Sequence, residues 1–273
     1  MLGAAIIVFR ESLEAALLIG IIAAAARNLP RRNRWLAAGI AAGIAGAFVV
    51  AGFTSTIGEF ADGVGQELLN AGVLGLAVLM LAWHNIWMTQ HARQMISNAR
   101  SVVQEVADGK RALSTIALVI ALAVLREGAE TVLFLYGIAS QGETTVQVLT
   151  GGALGLSAGA LVGAALYKGL LRIPVRWFFT VTAAMVLFIA AGMAGQMARF
   201  LIQGDIIPAI ASPIWDTSRL LSDTSTLGTL LHVLAGYDAR PSAMQALFYI
   251  SALAIIVIGM RLARPQPARV GVA

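Results

Sequence analysis

Seven apolar runs, each long enough to cross a bilayer, dominate this sequence and leave it little choice of architecture. They cover approximately residues 2–26, 35–57, 66–90, 112–139, 147–171, 175–203 and 243–263. The hydrocarbon core of a membrane takes about 20 apolar residues of helix. Backbone polar groups find no water there, so such runs are helices. They also far exceed the roughly 10 residues of a membrane β-strand. Only 12% of the residues are charged, about half the ~25% of a soluble domain, too few to cover a large fold in water. The expectation is an all-α polytopic membrane protein of seven transmembrane helices, a single domain over residues 1–273.

The first run invites a second reading, because Ala23 to Ala26 resembles the cleavage site of a secretory signal. No basic stretch precedes it, however, and Arg10, Glu11 and Glu14 stand inside it. It reads as a retained first span. The chain has no cysteine. That removes disulfides, thiolate metal sites, iron–sulfur clusters and cysteine nucleophiles.

Loop charges give an independent test of the seven spans. The connections alternate between basic and acidic along the whole chain. One side collects 14 Lys/Arg against 2 Asp/Glu, and the other 3 against 8. The positive-inside rule puts the first set in the cytoplasm, with the N-terminus outside and the C-terminus inside. The net charge of +5 matters less than this placement, and no nucleic-acid partner is expected. Membrane lipid is the expected surrounding, in the cell (inner) membrane.

A shift of 116 residues superposes two parts of the chain. Arg10, Glu11 and Glu14 fall on Arg126, Glu127 and Glu130, and Gly39 and Gly43 fall on Gly155 and Gly159. The pattern predicts an inverted repeat of three helices plus three, because an odd unit must insert its second copy upside down. The units are repeat A, about 1–90, and repeat B, about 112–203. An outer loop, about 204–242, and a last span, about 243–263, follow. Glycines four residues apart read as close helix packing.

The superposed residues are the chemistry. Each of spans one and four carries Arg-Glu-x-x-Glu, so six charges lie inside the predicted membrane. An ionised group at the bilayer centre costs about 2.5–3.5 kcal/mol even on the mildest scale, and such residues normally face a polar interior with a function. At about 100° per residue, both glutamates of each motif share one helix face. Four glutamates less two arginines leave a formal charge of −2, which a cation would complete. Oxygen donors select hard cations. No histidine or cysteine is near either motif in sequence, which makes copper, zinc and haem poor fits. Fe³⁺, Mn²⁺, Mg²⁺ and Ca²⁺ all remain open on ligand type. A proton-coupled metal carrier is one alternative. A membrane diiron oxidoreductase is another, weakened by the absence of any Glu-x-x-His, which such sites add to their carboxylates.

At these residues the chain resembles the oxidase-dependent iron permease family, close to its bacterial EfeU type. The two stretches are Phe9-Arg10-Glu11-Ser12-Leu13-Glu14-Ala15-Ala16 and Leu125-Arg126-Glu127-Gly128-Ala129-Glu130-Thr131-Val132. Gln66-Glu67-Leu68, the pair Trp83 and Trp87, Trp215-Asp216-Thr217-Ser218, and Gly236-Tyr237 with Pro241 extend the likeness. Two positions depart from it. Asn70 stands where related bacterial sequences often have Glu, and Ser12 stands where glycine is usual. The resemblance implies high-affinity iron uptake and no enzyme activity, with Glu11, Glu14, Glu127 and Glu130 as transient metal ligands. It implies charge compensation or gating by Arg10 and Arg126, and no permanently bound cofactor. It further implies an external oxidase or iron-delivery partner that hands over Fe³⁺.

Glu59, Asp62 and Glu67, with Asp216 and Asp223, are candidates for collecting ions outside. The length of 204–242 suggests a partner-facing or gating segment. His84 reads as a packed histidine of span three, His91 lies at its end, and His232 reads as surface. Trp35 and Trp177 are expected interface anchors.

Overall fold

The computed structural model describes residues 1–60, 65–139, 143–169, 175–223 and 225–263. Within them, the side chains of 54–60, 92–93, 95–96, 175–179, 226 and 233 are not described. Asp62 therefore lies outside the described residues, as do the side chains of Glu59 and Trp177.

Among the described residues the secondary structure is helical, without strands. The helices are α1 (Leu2–Ala25), α2 (Arg32–Phe60), α3 (Gln66–Ala107), α4 (Ser114–Ala139), α5 (Thr145–Tyr167), α6 (Val175–Gln203), α7 (Thr226–Ala235) and α8 (Ala243–Leu262). Local chemistry sets several of the boundaries. Thr144 and Gln147 form a capping box that starts α5, and Ser242 and Gln245 another that starts α8. Gly109, Gly169 and Gly236 take left-handed φ angles just after α3, α5 and α7, where a side chain would be strained.

Parts of α2, α3 and α6 and all of α5 and α8 are long and apolar enough to cross a membrane. Helices α1 and α4 are as long, but every stretch of about 20 residues in them includes a full Arg-Glu-x-x-Glu motif. The protein is a multi-pass helical membrane protein.

Helix α3 departs from the expected span. It runs for 42 residues, about 63 Å at 1.5 Å per residue, twice the thickness of a hydrocarbon core. The expected span ended near residue 90 because charge rises there. Residues 91–107 contain neither glycine nor proline, so nothing stops the helix until Asp108-Gly109. Ala99, Val103 and Val106 of this extension pack on Ile22, Ala26, Ile116 and Ile120.

The main helix pairings are α1 with α5, α2 with α4, and α3 with α6, and α1 also contacts α4. Close approaches define the first two. Gly39, Gly43 and Gly46 face Ala117, Ala121 and Leu125, while Gly151, Gly155 and Gly159 face Met1, Ala5 and Phe9. Both series rise together, so α2 runs parallel to α4 and α1 to α5. Under the 116-residue shift the two pairs exchange. Their registers differ by about one turn, since the image of the Gly39–Ala117 approach would set Gly155 on Met1, and it sits on Ala5.

Described residues after α6 are tied to one another by hydrogen bonds. Ile214 and Thr217 donate backbone hydrogen bonds to Pro241 and Ala239, and α7 packs on α6. Asp216 pairs with Arg240 at 3.1 Å and accepts from the Ser218 hydroxyl and backbone N–H. Those Ser218 bonds, with Arg240, hold the exposed Asp216 carboxyl down to about 2. A depressed carboxylate contributes fully above its ordinary range and loses its contribution only as pH falls through the folded value. Asp216→Asn is therefore expected to raise the protease sensitivity of residues 204–242 by the same factor anywhere between about pH 5 and 8. A factor that changes across that range contradicts the assignment.

Candidate metal site

The two motifs meet at the centre of the helix assembly, where α1, α3 and α4 contact one another. In α1, Arg10 Nη1 donates to Glu11 Oε1 at 3.1 Å, and Arg10 Nε lies 3.1 Å from Glu14 Oε1. In α4, Arg126 Nε donates to Glu130 Oε1 at 3.0 Å and lies 4.0 Å from Glu127 Oε1. Each arginine reaches both glutamates of its own motif. The i,i+4 spacing of a helix supplies the pairs Arg10–Glu14 at 3.1 Å and Arg126–Glu130 at 3.0 Å.

The halves are not equivalent. Arg10 is buried, whereas the Arg126 side chain is 34% exposed. Arg126 lies over the Trp87 ring, 4.3 Å from its centroid, and Trp87 stacks on His91. The one-turn difference in helix register accompanies this asymmetry.

Between the motifs stands His84, from α3. Its Nδ1 hydrogen-bonds Glu130 Oε2, and its Nε2 lies 3.4 Å from Glu14 Oε2 and 4.0 Å from Glu11 Oε2. One donor atom from each of Glu11, His84, Glu127 and Glu130 falls within 4.8 Å of the others. The burial and single hydrogen bond of His84 fit the expected packed histidine, and the structure adds that the ring stands beside both motifs. It escaped notice because α3 is remote in sequence, although an ionisable residue inside a span is itself a functional signal.

The site is largely buried and rich in acceptors. Glu11, Glu14, Glu127 and His84 are all buried. Glu11 Oε2, both carboxylate oxygens of Glu14, Glu127 Oε2 and His84 Nε2 make no hydrogen bond. Leaving one buried acceptor unsatisfied costs about 1–3 kcal/mol, and more when it is charged. Arg10 Nε, 3.1 Å from Glu14 Oε1, is the donor beside them; acceptors outnumber it, and such a pocket has the chemistry to take a cation.

Apolar clusters close both ends. Ala4, Ile7, Leu74, Leu81, Phe134 and Ile138 lie to one side of the site. Ile22, Ala26, Val103, Ile116 and Ile120 lie to the other. An apolar cleft of about 600 Å³ runs between α1, α2, α4 and α5, and Glu11 and Glu127 are the charged residues on its wall.

The outer candidates do not join this site. Glu67 is exposed in the first turn of α3. Asp216 is held by Ser218 and Arg240. Asp223 accepts from the Ala239 N–H and lines a separate cavity of about 630 Å³ with Arg199, His232, Asp238 and Arg240. His232 is half-buried rather than on the surface, and its Nδ1 bonds the Tyr237 carbonyl at 2.6 Å. Ser12, where the resemblance leads one to expect glycine, turns its hydroxyl back to the Val8 carbonyl at 2.6 Å and faces Gly159.

Comparison with known proteins finds relatives over most of the chain. The family described as Iron permease FTR1 family matches residues 1–263. The ferrous iron permease EfeU of Escherichia coli O6:K15:H31 (strain 536 / UPEC) is 31% identical over 270 residues, covering 94% of this chain and 95% of the relative. EfeU of Shigella sonnei (strain Ss046) is 31% identical over 250 residues, 88% of each chain. EfeU of Yersinia pestis is 29% identical over 249 residues, 89% of this chain and 87% of its own. No solved structure matches significantly.

Proposed function

The chain belongs to the iron permease FTR1 family, and from that premise we propose that it moves iron through the buried cluster of Glu11, Glu14, Glu127 and Glu130. The protein is a transporter rather than an enzyme, and iron is its substrate. The observation that carries the site assignment is the convergence, from α1, α3 and α4, of buried acceptor atoms without hydrogen bonds. Arg10 and Arg126 offset carboxylate repulsion while the site is empty, leaving a formal charge of −2 to attract the ion.

The relatives are named for ferrous iron. In the proposed cycle Fe²⁺ is what the cell meets, an external oxidase takes one electron from it, the oxidase or a delivery partner hands it over, and Fe³⁺ crosses. Hard carboxylate donors favour the ferric ion. Glu59, Asp62, Glu67, Asp216 and Asp223 gather cations on the outer side.

The proposed topology is seven spans in the cell's inner membrane, with the N-terminus outside and repeats A and B inverted. The exchange of α1–α5 for α2–α4 under the 116-residue shift supports the repeat. Parallel packing of α1 on α5, and of α2 on α4, fits an even number of membrane reversals between the partners. Loop charge supports the orientation.

Flux into liposomes tests the transport reading. Purified protein is expected to carry iron in preference to Mn²⁺, and Fe³⁺ in preference to Fe²⁺ held reduced. Equal or faster Mn²⁺ flux points to a general divalent-metal carrier. Equal or faster flux of reduced Fe²⁺ removes the oxidase step.

A further inference from the structure

The four glutamates are equivalent in sequence but not in space, and His84 makes the difference. Glu130 is fully engaged. Its Oε1 accepts from Arg126 Nε at 3.0 Å and its Oε2 meets His84 Nδ1. Glu11, Glu14 and Glu127 each keep an oxygen without a hydrogen bond, and so does the far ring nitrogen of His84.

The ring geometry follows from one proton. In a neutral imidazole one nitrogen donates and the other offers a lone pair. In the neutral ring, Glu130 as acceptor favours the tautomer with its proton on Nδ1. The Nε2 lone pair then faces Glu14 Oε2 at 3.4 Å and Glu11 Oε2 at 4.0 Å. Nε2 and these two oxygens lie together in a place where His84 is only 2% exposed. A cation seated among them would take all three as donors. Histidine ligands characteristically give their second ring N–H to a carboxylate, which fixes the ring and raises its basicity. The Arg126–Glu130–His84 chain has that form.

We propose that His84 Nε2 is a metal ligand alongside Glu11, Glu14 and Glu127, that it sets the preference for iron over Mg²⁺, Ca²⁺ and Mn²⁺, and that Glu130, the fourth glutamate of the cluster, is a positioning residue holding the ring. The inference rests on the glutamate site proposed above. Its chemistry is that of mixed donors. Carboxylates alone suit Mg²⁺, Ca²⁺ and Mn²⁺ as well as iron, whereas an imidazole nitrogen favours iron and the later transition metals. One nitrogen among oxygens thus supplies a discrimination that four carboxylates lack.

The test measures initial rates for iron and for Mn²⁺, at equal free concentrations, in liposomes bearing wild type, His84→Asn, His84→Asp, Glu130→Gln, Glu130→Leu or Glu11→Gln. Removing the nitrogen is expected to lower the iron-to-manganese rate ratio by about tenfold or more in both His84 variants. His84→Asp, with an oxygen donor in place, is expected to keep the larger Mn²⁺ flux. Glu130→Gln still accepts from Nδ1–H through its amide oxygen, so its ratio stays near wild type while Glu130→Leu shifts like the His84 variants.

An unchanged ratio in His84→Asn overturns the assignment, including the case where both metals slow equally, because the ring would then only hold the glutamates apart. If no His84 variant transports, metal binding to the detergent-solubilised proteins is read by calorimetry, and an equal loss of affinity for iron and Mn²⁺ overturns it as well. A ratio in Glu130→Gln displaced as far as in His84→Asn makes Glu130 a direct ligand and refutes its positioning role. Wild-type iron flux in Glu11→Gln defeats the underlying glutamate site, whatever His84 does.

Discussion

Cells that depend on this protein for iron are expected to lose at least about 100-fold of their uptake when Glu11 is replaced by glutamine, with the variant still reaching the membrane. The magnitude follows from what the carboxylate contributes. Residues that only orient metal ligands typically account for 10–100-fold in metal affinity or activity, and Glu11 is placed among the ligands themselves. Its Oε2 is buried and carries no hydrogen bond, while its Oε1 takes the Arg10 Nη1 proton at 3.1 Å. Glutamine keeps the shape and an oxygen for Arg10. It removes one negative charge from a formal total of −2. Arg10 remains paired with Glu14 at 3.1 Å, so the buried guanidinium is not stranded. Stranding it would cost about 3–5 kcal/mol and confuse misfolding with loss of transport. The measurement is radiolabelled iron accumulation against membrane-protein level in a strain without other uptake systems. Uptake within a few-fold of wild type at equal expression refutes the site.

The parts of this site legible in sequence were those carried by local pattern. Arg-Glu-x-x-Glu places its charges on one helix face by periodicity alone, and the apolar run around them marks the burial of most of them. The pairing of the halves was legible through the 116-residue offset. His84 was not, for a physical reason. Its neighbours are 46 residues away at Glu130 and 73 away at Glu11, and only helix packing joins them. A lone histidine in an apolar helix has no partner in its own periodicity, so packing was the cheaper explanation. The asymmetry of Arg10 and Arg126 was equally hidden, because it depends on Trp87 and a one-turn register difference, neither of which alters the motif. The extension of α3 to Ala107 was missed for the opposite reason. Hydropathy marks where a helix leaves lipid, whereas glycine, proline and capping mark where it ends.

The other large effect lies away from the charges. Gly155→Val and Gly159→Val are each expected to leave little folded protein, and any that folds is expected to transport poorly. A side chain at Gly155 meets the Ala5 carbonyl oxygen, and the Phe9 backbone nitrogen at 2.8 Å; one at Gly159 meets the Phe9 carbonyl oxygen at 2.8 Å and the Ser12 hydroxyl. Overpacking against movable side chains costs about 1–3 kcal/mol. Here most of the obstacle is the backbone of α1, which has no rotamer to yield, so the cost lies at or above that range. Helix α5 must back away, and it is the main partner of the helix that carries Arg10, Glu11 and Glu14. Gly72 in α3 is the control, because a side chain there meets nothing within 4 Å. Gly72→Ala is expected to keep yield and thermal midpoint, since alanine favours helix by about 1 kcal/mol over glycine. The readouts are monodisperse yield in detergent and thermal midpoint. Wild-type values for Gly155→Val would mean that α1 and α5 do not approach this closely. Since Gly39 and Gly43 meet the α4 backbone in the same way, Gly43→Val is expected to fail alongside it, by displacing the helix that carries Glu127 and Glu130.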